Sequence, residues 1–208
     1  MESLYNRTAP ESPVVQADPM LRACYACMLD FGVTRVTLAD VARRAGVSRM
    51  TIYRRHADLP SLLATVLREE LNHALARSLS ALPEPLDARG RAAQGLATVT
   101  LAVADHPLMR RMLDVDPESL LPLIVDRLGS TQRLAREHLA SLLRAGMAGS
   151  GGDGSIRDGD PDLLALTLVI AAQSFVFSQR VVRATDPRAF DELRLLADSY
   201  LAPGRSAS

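Results

Sequence analysis

The chain has 208 residues and a mass of 22.5 kDa; 48% of it is apolar, 4% aromatic, and twenty-four basic residues balance twenty-four acidic ones. This length fits one large domain or two small ones, and the zero net charge excludes a uniformly basic nucleic-acid coat protein and an acidic disordered chain. Every basic residue is arginine, which excludes Schiff-base chemistry and a Walker phosphate loop, since both need lysine.

Residues 1–17 lack any period and contain two prolines, so a mobile arm is expected there. Asp18-Pro19 predicts a helix start, with a capping side chain and then a proline whose missing amide is not needed. Leu21, Cys24, Tyr25, Met28 and Leu29 follow on one apolar face, and Gly32 marks the stop. Asp58 is expected to cap a long helix with Leu62, Leu63, Val66, Leu67, Leu71 and Leu75 inward, ending near Pro83 and Pro85. Asp87 opens a further helix to about Asp105, and Pro107 and Asp116-Pro117 start two short ones. Ser130 begins another helix to about Ala148, and Gly149–Gly154 follows as a flexible connector. Asp160-Pro161 and Asp186-Pro187 start the last two helices. No segment alternates long enough to be a strand. The expectation is an all-α fold of roughly nine helices, divided into an arm (1–17), a DNA-binding domain (18–57), a larger helical domain (58–202) and a tail (203–208).

Between Thr34 and His56 lie Arg35, Arg43, Arg44, Arg49, Arg54 and Arg55 against the single acid Asp40. Six charges against one on two short helices make the footprint of a duplex-binding element. Thr37 can cap a helix with Leu38, Val41, Ala42 and Ala45 inward. Gly46-Val47 supplies a tight turn, and Ser48 caps a second helix with Ile52 inward. The pattern is a helix-turn-helix.

The stretch TLADVARRAGVSRMTIYRRHADLPSLL, within Leu21–Leu71, resembles the N-terminal domain of TetR-family transcriptional regulators. The resemblance implies that the helix from Ser48 to His56 enters the major groove of double-stranded DNA. Arg49 would donate two hydrogen bonds to a guanine, and Met50 would touch a thymine methyl. Thr51 and Tyr53 would anchor phosphates, Thr37 and Arg44 would face the backbone from the first helix, and Arg55 could take either role. Arg54 belongs to the same surface. Leu59 stands where the family often has a phosphate-gripping lysine. His56 replaces a common packing aromatic, and both burial and phosphate contact remain open for it.

Other residue groups support different chemistry less well. Cys24 and Cys27 have zinc or redox spacing, but no second pair accompanies them and structural zinc needs four ligands; small core residues is the simpler reading. The histidines are scattered, no nucleophile set supports an enzyme, Glu69-Glu70 is expected to face water, and neither metal nor cofactor is expected. A basic-then-apolar leader is not seen, and the longest apolar run, Leu163–Ala172, is about half the ~20 residues of a membrane span. A soluble cytoplasmic setting without membrane contact is expected.

Pro161–Arg183 leaves almost no polar face, so burial on every side is expected. Together with the final helix it would form a homodimer interface through Leu164, Leu168, Val169, Phe175, Leu193, Leu196 and Tyr200. The family resemblance further implies a repressor on a palindromic operator, released by a small apolar or amphipathic effector. Residues suited to line its site are Met109, Met112, His138, Met147, Gln173 and Phe177. The rivals are an architectural or division-control factor without a ligand and, in another class, a Cys-based metal or redox protein.

Overall fold

The computed structural model describes residues 12–121, 126, 128–186 and 188–204. Within them are eleven α-helices: α1 (Pro13–Ala17), α2 (Pro19–Phe31), α3 (Leu38–Ala45), α4 (Arg49–Tyr53), α5 (Leu59–Ser80), α6 (Ala88–Asp105), α7 (Pro107–Val115), α8 (Ser130–Gly146), α9 (Pro161–Phe177), α10 (Gln179–Thr185) and α11 (Ala189–Leu201). Short 3₁₀ turns occupy Pro117–Leu120 and Ala148–Ser150. Among the described residues the β-type pairing is one isolated bridge, Met147 with Ile156, so the fold is all-α. No single described helix is long and apolar enough to cross a membrane.

The chain divides into two compact units, one comprising the residues up to Ala74 with Asp105–Leu128, the other Leu75–Ala104 with Gly129 onward. These bounds differ from a division at 57/58, because the first part of α5, and α7 from much later in the chain, pack with the first four helices. Val15, Met20, Leu21, Cys24, Tyr25, Met28, Val41, Ile52, Leu62, Val66 and Leu108 share one core. Leu108 thus supplies the first unit with an apolar side chain from α7.

The start signals at Asp18, Asp58 and Asp160 work as the sequence predicts, whereas Asp116 places no side-chain cap on the 3₁₀ turn that follows it. Asp18 accepts from the amides of Met20 (2.8 Å) and Leu21 (3.3 Å), and Asp160 does the same for Asp162 and Leu163. Asp58 accepts from the Ser61 amide at 2.7 Å, while Ser61 Oγ accepts from the Asp58 amide. The expected arm is corrected from Ser12 onward. Ser12 caps α1, and Val15 is fully buried; a single apolar anchor on a five-residue helix is too short to show a period. Residues 1–11 and 205–208 lie outside the described residues.

Two further expectations are overturned. Glu70 does not face water; it is fully buried. The Gly149–Gly154 stretch is no loose connector either: Asp153 Oδ2 accepts from the Ala88 amide at 3.0 Å and Ser155 Oγ from the Arg89 amide at 3.2 Å. The loop thereby caps α6, satisfying amides that a helix start leaves without partners. Gly152 is needed for this, since a Cβ there would stand 2.6 Å from the Ala145 carbonyl carbon.

Pro161–Arg183 is not one helix. It breaks at Ser178, and α9 and α10 meet at 70°. The final helix begins at Ala189 rather than Pro187, which is outside the described residues. Leu164, Ala165, Leu168, Val169, Ala197 and Leu201 pack in one core with Leu139, Ala140, Leu143 and Met147 of the second unit.

Candidate nucleic-acid interface

Thr37 opens α3 by accepting from the Asp40 amide at 3.2 Å. At its other end the Val47 amide reaches Ala42 O (3.0 Å) and the Gly46 amide reaches Arg43 O (3.4 Å), the paired bonds of a Schellman stop. Gly46 has φ +68°, with open space where a Cβ would sit, so backbone conformation alone selects glycine there. Ser48 then caps α4, accepting from the Thr51 amide at 3.1 Å. Val41, Ala42 and Ile52 are buried and turn the two helices onto the core.

With Ile52 held inward, the outer face of α4 is presented to solvent. Met50 is 70% exposed and Tyr53 52%, and Ser48, Arg49, Arg54 and Arg55 are exposed beside them. Thr51 is half-buried, its hydroxyl 3.0 Å from that of Ser48. Long, polar and methyl-bearing side chains on a short exposed helix can reach base edges and phosphates.

The arginine block is less cationic in three dimensions than along the chain. Arg44 pairs with Asp30, Arg55 with Asp18, and Arg43 with Asp40 at 3.0 Å. Asp18, the cap of α2, and Asp30, in its last turn, lie outside the 34–56 window, and nothing in the sequence pattern foretold these pairings. Burial opposes ionisation of Asp18, but Arg55 and the Met20 and Leu21 amides outweigh it and hold the carboxyl below its ordinary value. Arg35, Arg49 and Arg54 have no ion pair among the described residues and are the open cationic groups of the site. His56 is half-buried; burial first, then Arg55, lowers its pKa, so at neutral pH it is an uncharged donor or acceptor.

The cysteines belong to the core. Burial pushes Cys24 up to about 12 and also raises Cys27, whose rise Arg44 partly offsets. Such thiols stay protonated and unreactive.

The residues expected to line an effector site do not gather in one unit. Met109 and Met112 are buried in the first unit; His138, Met147, Gln173 and Phe177 belong to the second. His138 is exposed, Met147 is core, and Phe177 is half-buried. Gln173 Oε1 accepts from Gln132 at 2.5 Å. Of the expected dimer residues, Leu164, Leu168, Val169 and Leu193 are buried within a single chain. Phe175 and Tyr200 are half-buried, with Phe175 against Phe190 and Arg157 over the Tyr200 ring. Leu196 is exposed.

Residues 21–58 match the model of bacterial regulatory proteins, tetR family. The chain is 38% identical over 167 residues to an uncharacterised HTH-type transcriptional regulator of Mycobacterium tuberculosis, covering 78% of this chain and 81% of that protein. Among solved structures it is similar to the transcriptional repressor QsdR of R. erythropolis (TM-score 0.62, 19% identity, 91% and 97% coverage). It is also similar to FadR of Bacillus subtilis in complex with stearoyl-CoA (TM-score 0.62, 17% identity, 88% and 98% coverage). At these identities the structural likenesses speak for the fold. The chain belongs to the TetR family of transcriptional regulators. Its helix-turn-helix is the DNA-binding element.

Proposed function

We propose that the protein is a cytoplasmic homodimeric repressor that sets one α4 in each of two successive major grooves of a palindromic operator and leaves it on binding a small apolar or amphipathic effector. The observation that carries the DNA part is α4 itself, anchored by Ile52 and presenting Arg49, Met50 and Tyr53 outward. In this reading Arg49 reads a guanine edge, while Tyr53, Thr51, Thr37 and Arg54 hold phosphates. Arg49→Ala should weaken binding by ~1–3 kcal/mol and relax preference at one base position. Tyr53→Phe should weaken all sites about equally. Binding of both variants to a panel of duplexes, each differing by one base pair from a wild-type-selected sequence, checks this; identical rankings for both would reject the assignment.

Dimerisation is supported by an apolar face left open on one chain. Leu163 is 58% and Ile170 47% exposed on α9, and Leu195 and Leu196 are exposed on α11. Two recognition helices joined by a two-fold axis, about 34 Å apart, read a palindrome better than one. A charge at Ile170 should therefore give monomers, whereas a charge at Leu168 or Val169 attacks the single-chain core. Light scattering on Ile170→Glu checks this; a folded dimer would move the interface elsewhere.

For the effector, the support is family membership together with half-buried Gln173 and Phe177 on α9. The similar FadR structure holds stearoyl-CoA, a ligand with an apolar chain and a polar head. Release of an operator duplex by acyl-CoA esters of varied chain length tests the reading directly. Binding that no such compound alters would favour a regulator without an effector.

A further inference from the structure

The helix-turn-helix is held in place by residues that come from far along the chain. Asp116, at the C-terminal end of α7, is almost completely buried. Its Oδ1 accepts from the hydroxyl of Thr34, 82 positions earlier, in the loop between α2 and α3. Its Oδ2 has no hydrogen-bond donor among the described residues and occupies the space that a Cβ on Gly32, in the same loop, would need. One α7 turn earlier, Arg111 donates to the Asp30 carbonyl at 2.7 Å. The Asp30 carboxylate in turn accepts from Arg44 of α3. All of these residues lie in the first unit.

The other end of α7 is fixed as well. His106 caps it, Nδ1 accepting from the Leu108 amide at 3.3 Å, while Nε2 faces Glu70 of α5 at 3.3 Å. So α7 is a short strut with one end on α5 and the other on the α2–α3 loop. That loop leads within three residues to Thr37, the cap of α3. The start of α3, and through the Gly46 turn the aim of α4, depend on where the loop sits.

We infer that Asp116, through Thr34, is a positioning residue for operator binding. It touches no DNA; it fixes the loop from which α3 and α4 are presented. A buried carboxylate serves better than an apolar residue here because its bond to Thr34 has a direction, and the loop is thereby set in angle as well as in depth.

The test uses the full-length chain and a duplex selected from random sequence by the wild-type protein, at a temperature where circular dichroism shows each variant folded. Thr34→Val and Asp116→Ala should each weaken binding about tenfold, and the double variant should bind no worse than the weaker single one. The slope of log affinity against log salt should become shallower by about one, as a phosphate contact of the open Arg35, next to Thr34 in this loop, is lost. Thr34→Ser restores the hydroxyl and should restore both affinity and slope. A lowered melting temperature with wild-type affinity and salt slope would reduce the contact to a structural one and overturn the inference. So would additive losses in the double variant. Should Asp116→Ala fail to fold, Thr34→Val decides alone by the same affinity, slope and serine rescue, since Thr34 lies at the surface.

Discussion

Replacing Glu70 with alanine should lower the stability of the protein by roughly 3–5 kcal/mol, from stranded buried donors at about 1–3 kcal/mol each plus a cavity. Glu70 is fully buried on α5, its Oε1 accepting from the Ser12 amide and its Oε2 facing His106 Nε2, both at 3.3 Å. Because His106 Nδ1 accepts from the Leu108 amide, the ring proton sits on Nε2 and points at the carboxyl. Alanine leaves the Ser12 amide and the imidazole N–H without this acceptor. Glutamine keeps the shape but has one oxygen for two donors, so about a third to half of the loss should remain. Urea midpoints with an unchanged slope check the order wild type, glutamine, alanine. An alanine variant within about 1 kcal/mol of wild type would show that the pair is dispensable.

Gly32→Ala should be comparably damaging. Its φ of +85° and ψ of 161° belong to a region essentially reserved for glycine, at a cost of about 1–3 kcal/mol. A Cβ would also collide with the buried Asp116 carboxylate and stand 2.8 Å from Val115 Cγ2, adding about 1–3 kcal/mol of overpacking. Gly46 is the internal control. Its positive φ carries a penalty of about 1–2 kcal/mol for alanine, but nothing stands in the way of the methyl group. Thermal melts of the two variants should therefore differ by several degrees, Gly32→Ala being lower. Equal shifts would mean that the contact with Asp116 yields without cost.

Much of this architecture is written in local chemistry. Asp-Pro starts, the Gly32 and Gly46 stops and the inward spacing of Val41, Ala42 and Ile52 are short-range signals. They locate the helix-turn-helix and most helix starts from the sequence. What escapes is whatever depends on which segment returns to pack against which. Glu70 lies three and four positions from Leu67, Val66 and Ala74, on the apolar stripe of α5, and that spacing could have marked it as buried; its partners Ser12 and His106 could not have been named. The pairing of Arg44 with Asp30 and of Arg55 with Asp18, at the two ends of α2, is invisible for the same reason. Periodicity likewise detects that α9 is apolar all round, but Leu168 and Val169 differ from Leu163 and Ile170 only in which side α8 and α11 cover. The 70° break at Ser178 carries no proline or glycine to announce it.

The cap that Asp153 and Ser155 place on α6 also sets a timetable. The first amides of α6 find these acceptors 65 and 66 positions further along the chain. At a synthesis rate of ~5–20 residues per second, roughly 3–13 seconds pass between the emergence of that helix start and the arrival of its acceptors. Until then its opening turn must rely on Asp87, which caps the Gly90 amide at 2.7 Å. The second unit therefore cannot complete its core before the segment around residue 155 has emerged, whereas α2, α3 and α4 carry their capping residues within three positions of the amides they serve.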